Sequence, residues 1–278
     1  MIASLNFPLQ PRSASGLSAL VAGMTSVILA ASAVAQSYPL VDTGQIICYN
    51  ATTSTGTVSP TNPNPVEAGF EGQDCVRGGA AADAVGAMAK SGGSTRPGAD
   101  YTRIANDGSE LPADAALGSG PGDWACTRDN VTGLIWEVKV DDAANLRHYG
   151  HSYTWYDTNT AVNGGDAGTI GTNTTCNDTL TNCNTTAFRD AVNAAGLCGA
   201  TDWRLPIADE LQSLVHYGLF PGAYDATWFP NTSSQIFWSG QNYAPSASGA
   251  WVVNFNDGNF FGTFKFSDRR VRLVRGAK

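Results

Sequence analysis

Charge is scarce in this sequence: Asp, Glu, Lys and Arg make up only 14% of its 278 residues. Acids outnumber bases 24 to 16, giving a formal net charge of −8. That balance disfavours broad binding to phosphate backbones, so nucleic acid is not an expected partner, although local basic patches remain open. Histidine is scarcer still, limited to His148, His151 and His216. A Gly-x-Ser-x-Gly elbow and a His-Glu-x-x-His helix are both missing, which removes two common hydrolase signatures. No Cys-x-x-Cys pair occurs, and the irregular cysteine gaps do not suit a zinc ribbon or finger. His148 and His151 flank Tyr149-Gly150 in an expected loop with too few ligands nearby for a metal, while His216 reads as a partner for a helix end. The expectation is no catalytic residue, no metal and no cofactor.

Long apolar runs are also absent, apart from one at the start. Leu17 to Ala33 is an apolar stretch interrupted by Ser18, Gly23, Thr25, Ser26 and Ser32, preceded by Arg12 and followed by the small-residue pattern Ala33-Val34-Ala35. This is the layout of a cleaved export signal over residues 1–35, with the mature chain beginning at Gln36. Its removal takes away one base and no acid, which moves the formal charge from −8 to −9. No later stretch approaches the roughly 20 apolar residues needed to cross a bilayer. An exported product is expected, whether periplasmic, secreted or held at the cell surface.

What is abundant is Gly, with 31 residues, together with Asn, Thr, Ser and aromatics, a composition suited to short strands joined by many turns. All six cysteines follow the signal, and an even number in an exported chain favours three disulfides. Six cysteines allow 15 pairings; closeness in the chain selects Cys48–Cys75, Cys176–Cys183 and Cys126–Cys198. Six Asn-x-Ser/Thr triplets, at Asn50, Asn130, Asn173, Asn177, Asn184 and Asn231, read as Asn/Thr-rich loops in a bacterium.

Residues 36–123 read as an irregular extension rich in Gly, Pro, Ser and Ala, with loops at Val58–Val66 and Ser91–Ala99 and a covalent staple if Cys48 pairs with Cys75. Patterning strengthens from Trp124. Thr132–Val138 looks like a turn entering a strand. Thr185 or Thr186 can cap a helix that buries Phe188, Val192 and Ala195 and ends at Gly196. A second helix is expected over roughly Ala208–Tyr217, with Asp209 and Glu210 at its positive end rather than serving as an acid/base pair. Asp257-Gly258 reads as a two-residue hairpin turn that sets Phe255 opposite Phe260, Val253 opposite Gly262 and Trp251 opposite Phe264. A last strand, Arg270–Arg275, alternates so that Val271 and Leu273 face inward and Arg270 and Arg272 outward.

Six segments occur in order: Asp129-Asn130-Val131-Thr132-Gly133-Leu134-Ile135-Trp136-Glu137-Val138-Lys139, Val192-Asn193-Ala194-Ala195-Gly196-Leu197-Cys198-Gly199, Asp202-Trp203-Arg204-Leu205-Pro206, Glu210-Leu211, Phe237-Trp238-Ser239 and Val271-Arg272-Leu273-Val274-Arg275. Together they resemble the Lcl C-terminal domain family, named for a collagen-like adhesin of Legionella. The resemblant domain spans residues 124–276. Val41-Asp42-Thr43-Gly44-Gln45, with Cys48 and Gly72-Gln73-Asp74 after it, is similar to the leader that often precedes the domain. Ile207 departs from the pattern, standing where the family usually places a hydroxyl-bearing helix cap.

The resemblance implies an α+β, C-type-lectin-like fold: two helices packed on small twisted antiparallel sheets, following the loop-rich, disulfide-stapled extension. It also implies a non-catalytic, adhesin-type module that binds sulfated polysaccharides. The same architecture serves sugar binding, protein binding and one oxidase chemistry, so fold alone is a weak functional warrant. The Glu-Pro-Asn or Gln-Pro-Asp tripeptide of calcium-dependent lectins is missing, and Lys265 stands where a calcium loop opening at Asn254 would need its final Glu. No cysteine follows Cys198, which argues against a copper-thiolate oxidase.

The basic end of the chain, with Lys265, Arg269, Arg270, Arg272, Arg275 and Lys278 against Asp268, carries a local charge of about +5. Lys265, Arg269, Arg270 and Arg272 are therefore the candidate ligand contacts for an acidic or sulfated extracellular glycan, since guanidinium groups pair well with sulfate and carboxylate. Tyr243, in a turn-rich stretch, is the candidate exposed aromatic, whereas most of Trp155, Trp228, Trp238 and Trp251 are expected in the core. Internal ion pairs are the competing reading of Arg270 and Arg272. A surface protein as partner, a structural or assembly role in the cell envelope, and an enzyme whose site is gathered from distant loops are the alternatives.

Overall fold

The computed structural model describes residues 42–70 and 72–276; the expected export signal and its expected cleavage point, Val41 and Lys278 lie outside the described residues. Three antiparallel sheets and three short helices make up the regular structure. Strands β1 (Ile47–Tyr49) and β2 (Ser54–Thr57) form a small ribbon, followed by helix α1 (Gly78–Ala84). A five-stranded sheet runs in the order β10-β6-β5-β3-β4, built from β3 (Tyr101–Ala105), β4 (Glu110–Leu111), β5 (Trp124–Asp129), β6 (Ile135–Glu137) and β10 (Val274–Arg275). The third sheet has the order β7-β8-β9, from β7 (Ile236–Asn242), β8 (Gly249–Asn254) and β9 (Phe260–Phe264). Helices α2 (Thr185–Ala195) and α3 (Ala208–Gln212) lie between the two larger sheets in sequence.

Residues 36–123 contribute more regular structure than their composition suggests, because β3 and β4 complete the five-stranded sheet. β3 pairs with β5 over five residue pairs, from Tyr101 opposite Asp129 to Ala105 opposite Trp124. Disulfides join Cys48 to Cys75, Cys126 to Cys198 and Cys176 to Cys183. The first lies in a small apolar cluster with Val58, while the other two lie in the main core beside Phe188 and Trp203.

The leader segment is fixed against later parts of the chain. The Arg96 guanidinium donates to the Asp42 and Ser213 carbonyls, and the Tyr217 N–H donates to the Thr43 carbonyl at 3.1 Å. Gly44, with φ +79°, packs against the His216 ring; an added Cβ would lie 3.0 Å from its Nδ1. The positive φ and the close ring both require glycine there.

Besides the small Cys48–Cys75–Val58 cluster, the hydrophobic interior of the described residues forms two larger clusters. One gathers Trp155, Phe188, Trp203, Trp238, Val252, Val271 and Leu273; the other gathers Tyr101, Trp136, Leu211, Phe229, Phe237, Val253 and Val274. β8 is central in its sheet and sends Val252 to the first cluster and Val253 to the second.

Four local expectations are corrected. Helix α2 is capped by Asn184, whose side chain accepts the Ala187 N–H at 2.8 Å, and Gly196 ends it at φ +65°. Phe188 and Val192 are buried, but Ala195 is exposed; Leu197, just past the helix, fills the core instead. Helix α3 stops at Gln212, so His216 is beyond its end rather than at it, and its Nδ1 accepts the Gly218 N–H at 3.1 Å. The missing hydroxyl cap at Ile207 is replaced in two ways: the Glu210 carboxylate accepts the Ile207 N–H at 2.9 Å, and the Gln241 side chain accepts the Ala208 N–H at 2.8 Å.

The β8–β9 register differs by two residues from the two-residue turn. Val253 faces Phe260, Trp251 faces Gly262 and Gly249 faces Phe264. Phe255 is drawn into the second cluster, with its N–H donating to the Gln235 carbonyl, so β8 ends early and the turn widens. A shift of two preserves the faces, since side chains repeat every second residue.

Candidate functional site

The C-terminal segment does not behave as a strand with one wet face. Val271, Arg272, Leu273 and Val274 are all buried, because the segment passes between the two clusters: Val271 and Leu273 pack into one and Val274 into the other. The expectation that Arg272 faces outward is therefore corrected. A segment buried on both faces has no polar side for alternation to reveal.

Arg272 is fully buried and donates to the Thr232 hydroxyl, with its guanidinium 5.0 Å from the Phe229 ring centroid and 5.9 Å from that of Phe237. Burial lowers its pKa to about 10, and Glu137 opposes that shift. Glu137 is itself fully buried, accepting from the Lys139 ammonium at 2.6 Å and from the Leu273 N–H at 3.0 Å. Lys139 lies 4.4 Å from the Phe188 ring, and burial pulls its pKa down to about 8 despite Glu137. Arg147 completes this group of charges from beneath β6, donating to the Val138 carbonyl at 2.6 Å. The group ties the C-terminal segment to β6.

Lys265 is likewise turned inward, at 2% exposure. Its ammonium donates to the Asn163 and Asp166 carbonyls at 2.8 and 2.6 Å and lies 4.3 Å from the Trp155 ring. It fastens the loop 157–168, leaving little of its charge for a ligand.

Arg269 and Arg270 have a different setting. Their backbone is held by paired bonds between Arg269 and Tyr153 and by the Arg270 N–H donating to the Ile236 carbonyl. Both side chains are half-buried and line a shallow cleft of about 110 Å³ with Ser152, Gln235, Ile236 and Asp268. Arg270 donates to the Gly150 carbonyl and Arg269 to that of Asp268. Among the described residues neither forms an ion pair with a carboxylate. Burial lowers the Arg270 pKa, yet a guanidinium keeps its proton at neutral pH.

A larger cleft, about 220 Å³, is lined by Trp155, Asp157, Arg189 and Arg204 among others. Its cations are already matched: Arg204 holds Glu210 through two bonds of 2.7 and 2.6 Å, and Arg189 lies 2.8 Å from Asp190 and 3.8 Å from Asp157. Volume favours this cleft, but unpaired charge favours the smaller one, and for an anionic ligand charge decides.

The structure does not bring Tyr243 to the arginine cleft. It packs edge-on against Trp251, with centroids 4.9 Å apart, and covers Gly262, where a Cβ would lie 2.3 Å from the Tyr243 ring. Trp155, Trp228 and Trp238 are buried, and Trp251 is half-buried. The face of β9 expected to be apolar is so, but it faces solvent: Phe260 and Phe264 are 50% and 55% exposed. β9 is also the outer strand of its sheet, with no strand paired beyond it among the described residues.

His148 and His151 meet edge-on, with centroids 5.0 Å apart and planes at 71°, and among the described residues their one acid contact is His148 to Asp141 at 3.6 Å. No group of three or more His, Cys, Asp or Glu able to hold a metal occurs among the described residues. None of the helices among those residues is long and apolar enough to cross a membrane.

Comparison with curated proteins finds no match. Comparison with family models matches the Lcl C-terminal domain over residues 125–275, a span that holds β5, β6, both later helices, the whole β7–β9 sheet and β10. That span exceeds half of the chain, and the chain belongs to the Lcl C-terminal domain family.

Proposed function

We propose that the chain is an exported, non-catalytic binding module with a C-type-lectin-like domain over residues 124–276, which holds an acidic or sulfated extracellular glycan through Arg269 and Arg270. Family membership supports an adhesin-like extracellular role, and three disulfides are compatible with export. The observation that carries the ligand class is that Arg269 and Arg270 line one cleft and neither forms an ion pair among the described residues, although Asp268 stands at the cleft wall. Ser152 and Gln235 add neutral hydrogen-bonding groups beside them. Lys265 and Arg272, buried on Asn163, Asp166 and Thr232, are internal braces elsewhere and not ligand contacts.

Heparin, compared with its desulfated form, is a direct probe. The expected result is binding that requires sulfate, weakens as salt rises through about 0.1 M, and drops at least tenfold in an Arg269→Ala/Arg270→Ala variant. Unchanged affinity in that variant, with its fold intact, overturns the site assignment. Failure of wild type to bind any anionic glycan overturns the ligand class.

A further inference from the structure

We propose that β9 is a self-association edge, along which two copies of this chain pair antiparallel and extend the β7–β8–β9 sheet across a twofold axis at Gly262. This inference is independent of the arginine cleft. Its starting point is an inversion of ordinary burial: Phe260, Phe261, Phe264 and Phe266 are 50%, 38%, 55% and 63% exposed, within a seven-residue stretch. Single exposed apolar residues need no explanation, but a contiguous aromatic patch marks an interaction surface.

Phe260, Phe264 and Phe266 share one face with Tyr243 and Trp251, whereas Phe261 points to the opposite face of β9. Tyr243 contacts Trp251, Trp251 lies 5.5 Å from Phe260, and Phe264 stacks on Phe266 at 5.2 Å. Ring orientation separates two possible occupants. Tyr243 and Trp251 meet at 82°, Trp251 and Phe260 at 43°, and Phe264 is parallel to Phe266 because the two cover one another. These rings share no plane on which a sugar ring could lie, and they present an irregular apolar ridge suited to another protein surface.

The backbone supplies the second observation. The Asn254 N–H donates to the Asn259 carbonyl, and the Lys265 N–H donates to the Ser248 carbonyl. Antiparallel pairing alternates, so Phe261 and Thr263 direct their backbone groups toward β8, while Phe260, Gly262 and Phe264 direct theirs to the outer edge. The Phe264 carbonyl already accepts the Ser267 N–H, so the outer-edge pairing sites are the groups of Phe260 and Gly262 together with the Phe264 N–H. From Phe260 to Phe264 there is no proline, charge or bulge to blunt this edge.

The occupant follows from the symmetry of the strand. A twofold axis at Gly262 sets Phe260 against the partner's Phe264, Gly262 against its own counterpart, and Phe261 against the partner's Thr263. Phenylalanine therefore meets phenylalanine on the shared face, and no charge is buried. At about 200 Å² for a fully exposed ring, the four phenylalanines offer about 400 Å² per copy and about 800 Å² per pair. Trp251, Tyr243 and the edge backbone bring the contact to the scale of about 1,000 Å² expected of a specific interface.

Sedimentation velocity of the purified protein over a range of concentrations, without glycan, tests the proposal. The expected result is a reversible monomer–dimer equilibrium that persists in Arg269→Ala/Arg270→Ala and weakens at least tenfold in Phe260→Lys/Phe264→Lys. Both phenylalanines are half-exposed, so the fold should survive, and near-ultraviolet circular dichroism checks this. Register is tested separately by mixing a Phe261→Cys chain with a Thr263→Cys chain under mild oxidation. A disulfide-linked heterodimer is expected from the mixture and none from either chain alone, because only the 261–263 pair comes close enough to bridge. A strictly monomeric wild type overturns the proposal, as does a dimer indifferent to the two lysines. Cross-linking of either chain with itself overturns the register.

Discussion

Two neighbouring stretches of this chain, residues 260–266 and residues 269–275, arrange their chemistry in opposite ways. The first is rich in phenylalanine and holds four of those rings in solvent; the second is rich in arginine and holds Arg272 fully inside. Position in the sheets accounts for the difference. β9 is an outer strand with one neighbour, whereas Val271–Val274 runs between two apolar clusters and pairs with β6 and Arg204. Residue type alone would have assigned the two stretches the reverse way. A buried cation is tolerated here because it shares its enclosure with Glu137 and with aromatic faces.

The sharpest way to break this contrast is Glu137→Ala. It leaves Lys139, Arg147 and Arg272 in the interior without their shared acid and removes the acceptor of the Leu273 N–H, so a loss of about 3–5 kcal/mol is expected in urea unfolding. Arg272→Met should cost less, within about 2 kcal/mol, since Glu137 keeps Lys139 and an apolar chain can fill the space between Phe229 and Phe237. Near-equal losses in the two variants would show that the guanidinium, rather than the carboxylate, organises the group.

A smaller effect is expected from Gln241→Ala, which removes the acceptor at the start of α3 and should lower stability by about 1 kcal/mol in the same assay. Smaller again is Arg275→Ala: the Arg275–Asp202 pair lies at the surface, and its loss should stay within about 1 kcal/mol. A large loss for Arg275→Ala would erase the distinction between the buried and exposed ends of this segment.

Acidity should also weaken the fold. Burial lowers the pKa of His151, with His148 adding to the effect, and burial lowers that of His216, with Arg96 adding to it. The unfolded chain therefore takes up these protons first, near pH about 6.5, and their contribution to stability is full above that pH and lost as pH falls through it. The urea midpoint should decline from neutral toward mildly acidic pH, and the decline should be shallower in His151→Gln/His216→Gln. An identical slope in that variant would assign the acid sensitivity to other groups.

Much of the local architecture was legible in the sequence because it depends on residues near one another. Phe188 and Val192 mark the buried side of α2, Gly196 marks its end, and the Asp129–Leu134 turn leads into β6 as its Asn-x-Thr-Gly pattern suggests. The cap at Asn184 was missed by one residue, since Asn184, Thr185 and Thr186 can all cap and the choice depends on where Phe188 must point. The β8–β9 register was legible only in its faces; its two-residue offset comes from the pull of the second cluster on Phe255. Arg272 and Lys265 were misjudged for one shared reason. Their partners are Thr232, Glu137, Asn163 and Asp166, all far away in the chain, and no spacing rule reaches them. The exposed phenylalanines were hidden by the usual association of aromatics with cores, which fails on a strand with an open edge.

Glu137 and Leu273, whose N–H it accepts, stand 136 residues apart in the sequence, and Arg272 completes the same surroundings. A polypeptide emerging from its N-terminus must carry this carboxylate in an unfinished interior until residues 272 and 273 arrive. The last sheet strand and the closing of both clusters wait on the same few residues. A chain cut short before Arg272 would keep all three disulfides yet lack Val271's neighbours Arg272, Leu273 and Val274, and both clusters would stay open.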